Sequence, residues 1–309
     1  MNISLYFFIM NSITFIFLVC LYALFFIYEA IGGIKIENQI FYCSMLIIAF
    51  GIPHGALDHI LFFKKRNTSQ VKFYSIYLGL VLFFILLWIY YPTLSLTLFL
   101  IISAFHFGES QFEDIDIKKY SNSLLLYLVW GLSLLINLIF YNVDELNVLT
   151  TLFKDTEPFY YLYNHKFVTY GFISFNLVAI GLLFNLLHNK IINWNKLLSE
   201  LFLFGLIHLT FFLFPFIIGF TLYFVILHSI RVMKYEYDFF KKESNNFNLF
   251  VFVKLVTPYT LLSLFFSGFV FILSSKDIIS ISIPLLSLII ISAITLPHAI
   301  VMHIFYHEK

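Results

Sequence analysis

From the N-terminus, the chain alternates long apolar runs with short polar interruptions. The runs fall at residues 4–28, 40–63, 71–91, 92–109, 121–141, 166–188, 194–214, 215–233, 249–273 and 280–305. As helices rising about 1.5 Å per residue, they approach or exceed the thickness of a hydrocarbon core about 30 Å deep. Only helices or closed barrels satisfy their backbone polar groups in lipid, and these runs are too long for barrel strands. The pattern therefore predicts an all-α, polytopic membrane bundle of about ten helices, a single transmembrane domain over residues 1–309. Two junctions are only a turn wide, "YYP" at 90–92 and "FLFP" at 212–215. Proline pushes the residue before it out of the helical region, so tight hairpins are expected there. Counting either pair as one span leaves eight or nine as the alternative. The opening "MNISLYFFIM" has neither a basic leader nor a small-residue cleavage site, which predicts a retained first span.

Composition agrees. Of the 309 residues 61% are hydrophobic and 11% charged, where soluble domains carry about 25% charged residues. A net charge of +1 gives no electrostatic footprint for nucleic acid. Cys20 and Cys43 lie in apolar runs and suggest neither a disulfide framework nor a metal pair. Loop charge sets the orientation. With the N-terminus in the cytoplasm, that side holds Lys64, Lys65, Arg66, Lys72, Lys118, Lys119, Lys190, Lys196, Arg231, Lys234, Lys241, Lys242, Lys254 and Lys309. The opposite side holds only Lys35, Lys154, Lys166 and Lys276, beside an acidic loop near 142–165 with Asp144, Glu145, Asp155 and Glu157. Positive charge gathers on the cytoplasmic side of membrane proteins. Both termini are therefore expected in the cytoplasm, with the chain in the cell's inner (cytoplasmic) membrane.

The histidines change the picture. His165, His188 and His307 fall at span ends or in loops, where solvated side chains are expected, and His208 stands alone as a hydrogen-bonding residue between helices. His54, His106, His228 and His298 differ. They lie on spans 2, 4, 8 and 10, which all run in the same direction, and each falls in the cytoplasmic half of its span. Intramembrane ionisable residues face the bundle interior, and imidazole is the commonest protein metal ligand. Four at one depth point to a metal or proton site, against separate structural hydrogen bonds as the alternative. Asp58 follows His54 by four residues and Glu109 follows His106 by three, spacings that place each pair on one helical face. Both carboxylates are thus candidates to steady a ligand imidazole. Glu109 has a plainer reading as a solvated residue at a span end. Pro53 and Gly55, like Pro297, predict kinks that open space beside the histidines. An all-imidazole set permits iron(II), copper or zinc.

Four segments, "PHGALDH" (53–59), "FHFGES" (105–110), "HSIR" (228–231) and "LPH" (296–298), together resemble the Brp/Blh family of membrane β-carotene 15,15′-dioxygenases. The resemblance extends over about residues 50–300, and the Pro-His-Gly-x-x-Asp segment is its most specific part. It implies a mononuclear non-haem Fe(II) held by histidines, β-carotene and O2 as substrates, retinal as product, and a functional link to a microbial rhodopsin. It assigns His54, His106 and His228 as iron ligands. The family carries a further histidine where this chain has Val232. Either His298, or failing that His59, completes the set, or three histidines form it, or the chain is a relative with altered or lost activity. Phe50, Phe105, Phe107, Tyr223 and Phe224 are candidate walls for a polyene. A different polyene substrate, or a proton- or metal-coupled transporter, are the competing readings. The repeated histidine clusters of membrane di-iron enzymes are absent.

Overall fold

The apolar runs are helical over the residues that the computed structural model describes, 12–115, 117, 120–244, 246–276 and 278–308, with the run at 40–63 divided between two helices. The start of the first predicted span (4–11) and Lys118, Lys119 and Lys309 lie outside the described residues. The helices are α1 (Ser12–Ala30), α2 (Ile36–Gly55), α3 (Asp58–Lys65), α4 (Gln70–Tyr90), α5 (Pro92–Gln111), α6 (Ser123–Tyr141) and α7 (Val143–Leu152). After a 3-10 stretch, Lys154–Tyr163, come α8 (His165–His188), α9 (Trp194–Leu213), α10 (Phe216–Glu243), α11 (Leu249–Ser275) and α12 (Ile283–His307). With α2 and α3 taken as one crossing, ten helices among the described residues are long and apolar enough to span a membrane. The chain is a multi-pass membrane protein.

Both expected hairpins are present. Only Tyr91 separates α4 from α5, and only Phe214 and Pro215 separate α9 from α10. Two expectations change. The acidic loop near 142–165 is folded as α7 and the 3-10 stretch, pinned by buried Val143, Leu146 and Phe159, the last edge-on to Trp88 at 5.9 Å. Its acids also cap helices. Glu145 Oε2 accepts from Phe216 N–H at 2.6 Å and Asp155 Oδ2 accepts from Ser282 N–H at 2.7 Å, placing negative charge at the starts of α10 and α12. The second change is length: α10 runs on to Glu243, because Arg231, Val232, Glu236 and Phe240 give it a buried face beyond the apolar run.

Burial ranks the helices by position. Two thirds of the most apolar stretch of α10 (67%) is buried, against 11% for α11, so α10 is the inner helix and α11 faces outward. The outer faces carry residues such as Phe26, Phe250 and Phe265, suited to lipid contact. The tightest seam joins α5 to α6. A Cβ on Gly108 would lie 1.9 Å from the Tyr127 carbonyl oxygen, and one on Gly131 would lie 1.8 Å from that of Ala104. Ala104 and Gly108, four apart on α5, thus meet Tyr127 and Gly131, four apart on α6. This small-residue spacing lets membrane helices touch backbone to backbone. On one face the ends of α3, α10 and α12 are tied by charge: Lys64 Nζ lies 2.7 Å from Glu243 Oε2, and Arg66 Nε lies 2.8 Å from Glu308 Oε2.

Candidate metal centre

The same architecture brings four imidazoles together. His54 lies in the last turn of α2, His106 near the end of α5 and His298 one residue past the internal Pro297 of α12. His228 lies in a π-helical turn, Tyr223–Ser229, that interrupts α10. Such turns insert a residue into the helical ladder and are frequent at functional sites. All four histidines are buried. One nitrogen from each of His54, His106 and His298 lies within 4.8 Å of the others. His228 adjoins this trio, edge-on to His54 and His106 with ring centroids 5.1 and 4.9 Å away.

Glycines in the 50–55 segment make the room. A Cβ on Gly51 would lie 2.8 Å from the Phe224 ring, and one on Gly55 would lie 3.3 Å from His298 Nδ1. The ring nitrogens are oriented from behind. Asp58 Oδ1 lies 2.8 Å from His298 Nδ1, and Asp58 Oδ2 accepts from the Tyr77 hydroxyl at 2.9 Å. The network therefore puts the His298 proton on Nδ1 and leaves the lone pair on Nε2, which is buried with no partner. Ser110 does the same for His228: its hydroxyl donates to the Phe107 carbonyl at 3.0 Å, so its oxygen accepts from His228 Nδ1 at 3.1 Å.

These placements correct two pairings. Asp58 bonds His298 rather than His54, because α2 stops at Gly55 and a new helix starts at Asp58, so four-residue spacing no longer puts the two side chains on one face. Glu109 does not reach His106. Its Oε1 lies 2.6 Å from His303 Nδ1 and 2.9 Å from His307 Nε2, one turn further along α5 and α12. His307 is accordingly not a free terminal residue but the last residue of α12. The sequence pattern assigns no role to His303 or to this carboxylate pairing, although the four-residue spacing of His303 and His307 is legible. His59 is turned away, 3.0 Å from the Tyr259 hydroxyl. His208 is held between Asn137 and Tyr141, a hydrogen-bonded position between helices.

The donor set fits a metal ion. His54 Nδ1, both nitrogens of His106 and His298 Nε2 are buried with no hydrogen-bond partner. Each buried group left unpaired costs about 1–3 kcal/mol, and coordination removes that cost. Imidazole ligands about 2.1 Å from an ion lie about 3.4 Å apart in tetrahedral arrangement, so closing the trio on an ion takes a contraction of at most about 1.4 Å.

The sequence profile of a family described as beta-carotene 15,15'-dioxygenase matches residues 45–306. The chain belongs to that family. Among curated relatives, a protein named beta-carotene 15,15'-dioxygenase from an uncultured marine bacterium (66A03) is 38% identical over 78 residues. The matched stretch covers 23% of this chain and 28% of that relative, well short of its length. No solved structure matches the chain.

All four motif histidines fall inside the family match. Val232, where the resemblance implies a further histidine, is fully buried in the cluster that holds Leu57, Leu61 and Met302. Of the proposed polyene walls, Phe107 and Phe224 touch the imidazoles: their ring centroids lie 4.8 and 5.5 Å from that of His228. Tyr223 backs Phe107 at 5.6 Å. Phe50 is partly buried against the same cluster as Tyr223 and Phe224. Phe105 points elsewhere, toward Tyr127 and His303, because it precedes His106 and so sits about 100° round the helix. Arg231 of the His-Ser-x-Arg segment anchors the site: it bonds Gln111, whose amide donates to Glu200 at 2.7 Å, joining α10, α5 and α9 below the histidines.

Proposed function

We propose that the chain is an iron-dependent dioxygenase that cleaves β-carotene at its central 15,15′ double bond. One O2 is consumed: the carbon–carbon and oxygen–oxygen double bonds break, two carbonyl bonds form, and two retinals leave with no proton or electron left over. The observation that carries this reading is the convergence of buried, unpartnered imidazole nitrogens from separate helices, in a membrane chain of this family. His54, His106 and His298 would hold Fe(II), with His228 beside them as the fourth imidazole. Iron(II) supplies the redox flexibility that lets triplet O2 react with a closed-shell polyene.

The protein's part is positional. Asp58 and Ser110 fix the ring tautomers of His298 and His228. Phe107 and Phe224 offer aromatic faces beside the imidazoles for a conjugated chain to pack on. A C40 hydrocarbon dissolves in the bilayer, so a site within the helices spares its transfer through water. In this reading both termini lie in the cytoplasm, the membrane is the inner one, and retinal is handed to a microbial rhodopsin.

Expression in cells that accumulate β-carotene tests the reading: they should lose their yellow colour and gain retinal. His54→Ala, His106→Ala and His298→Ala should each abolish metal binding and cleavage, whereas His208→Ala should leave both. Bound metal without bleaching would point to another polyene. Metal-free protein that still bleaches the cells would sink the iron assignment.

A further inference from the structure

A second group of metal-ligating side chains lies outside the buried imidazoles. Glu109, in the last turn of α5, is 1% exposed and receives two imidazoles on one oxygen, His303 Nδ1 at 2.6 Å and His307 Nε2 at 2.9 Å. Its other oxygen, Oε2, is buried with no partner. His303 and His307 are four apart on one face of α12, with ring centroids 4.6 Å apart. Aromatic neighbours limit their rotation: Phe105 lies 5.9 Å from His303, and Tyr127 lies 6.2 Å from His307. One ligand atom from each of Glu109, His303 and His307 falls within 4.8 Å of the others.

We propose that these three residues form a second divalent-metal site, open to water. Hydrogen bonding alone explains the group poorly. Both rings crowd Oε1, while Oε2 stays buried with no hydrogen-bond partner, a cost that two bonds to Oε1 do not relieve. A cation among the three ligands satisfies Oε2 and takes a lone pair from each ring. Two imidazoles and a carboxylate suit a first-row transition cation, zinc or iron(II) before calcium or magnesium. Access also differs from the buried centre: the side chains of His303 and His307 are 45% and 33% exposed, and His307 is the last residue of α12, at the end of its span. The ends of α5 and α12 both lie here, and the partial negative charge of helix C-termini favours a cation.

The position gives the site a consequence. Glu109 is three residues beyond His106 on α5, and His303 is five beyond His298 on α12, about 4.5 and 7.5 Å along the helices. A metal there clamps together the two helices that carry two of the buried imidazoles.

Titration of the detergent-purified full chain with Co2+, read by its visible ligand-field bands and by metal analysis, tests this. Wild-type protein should take up two equivalents. His307→Gln, a change at a partly exposed helix end that the fold tolerates, should weaken one equivalent at least tenfold. The His54→Ala/His106→Ala/His298→Ala variant should keep that equivalent and lose the other. If it unfolds, the His307→Gln comparison decides alone. Unchanged stoichiometry and affinity in His307→Gln would overturn the proposal. One equivalent that vanishes in His307→Gln upholds this site even if the buried histidines prove empty, so the outcome is separable from the iron reading.

Discussion

Replacing Gly108 by alanine tests whether the α5–α6 seam positions the buried centre. The added Cβ would sit 1.9 Å from the Tyr127 carbonyl oxygen, 2.6 Å from its carbonyl carbon and 2.7 Å from its Cα. All three are backbone atoms, so no side-chain rotation relieves the clash. Ordinary contact begins at 3.4 Å, so the helices must part locally by about 1.5 Å. Gaps of 0.5–1 Å already forfeit a quarter to a half of each dispersion contact, and overpacking costs about 1–3 kcal/mol or more. The expected penalty is at least about 3 kcal/mol, a fall in Tm of roughly 6–12 °C. Gly181 supplies the control, because a Cβ there meets nothing within 4 Å. Gly181→Ala should be neutral or stabilise by up to about 1 kcal/mol through helix propensity. His106 lies two residues from Gly108, and sites of this kind tolerate misplacement of only about 0.5 Å, so Gly108→Ala should also lose metal. The assay is thermal unfolding of the detergent-purified protein with metal analysis beside it. A Gly108→Ala protein as stable and as metal-replete as Gly181→Ala would refute the close-packed seam.

Two further outcomes follow from single contacts. Asp58→Asn keeps the size of the side chain but weakens its hold on His298 Nδ1, so metal affinity should fall about 10–100-fold, roughly 1.4–2.8 kcal/mol. Equilibrium competition with a chelator measures it, and an unchanged constant would dismiss the tautomer argument. At the chain end, the hydrogen bond from Arg66 holds the Glu308 carboxyl below its usual 4.5. A depressed acid stabilises the fold above its unfolded-state value and loses that contribution as pH falls through the lower folded value. Amide protection over residues 300–308, measured relative to the intrinsic exchange rate at each pH, should therefore be higher at pH 7 than in acid, where the carboxylate is protonated. Glu308→Gln should show the lower protection at both pH values; equal protection of the two proteins at pH 7 would rule the tie out.

The helices were legible in the sequence because hydropathy adds up along the chain and needs no partner. The polar residues were legible as exceptions to it, which is why His54, His106, His228 and His298 could be grouped by depth. Their partners were not, since each depends on an event that hydropathy does not register. Pro53 advertises a kink, but the helix actually stops at Gly55 and restarts at Asp58, which turns the carboxylate from His54 to His298. Glu109 is paired with His106 by spacing, or read as a solvated span end, because its actual partners, His303 and His307, are some two hundred residues away. The π-helical turn at 223–229 has no residue signature, yet it carries His228.

Val232 shows how the pieces constrain one another. In an unbroken α-helix, a residue four beyond His228 shares its face. Here the π-helical turn ends at Ser229 and Val232 is fully buried in the cluster with Leu57 and Met302. Leu57 comes just before Asp58, and Met302 lies one turn beyond His298. Val232 thus packs behind the two residues whose mutual bond orients the His298 ring. A valine there leaves no polar group to satisfy, and the imidazoles of His54, His106 and His298 still converge, with His228 beside them. If the centre holds a metal as proposed, His298 on α12 is placed to supply a ligand that Val232 does not. Val232→His should not restore a missing ligand: it would bury an unpaired imidazole in an apolar cluster, at about 1–3 kcal/mol, and push on Asp58 and His298 from behind.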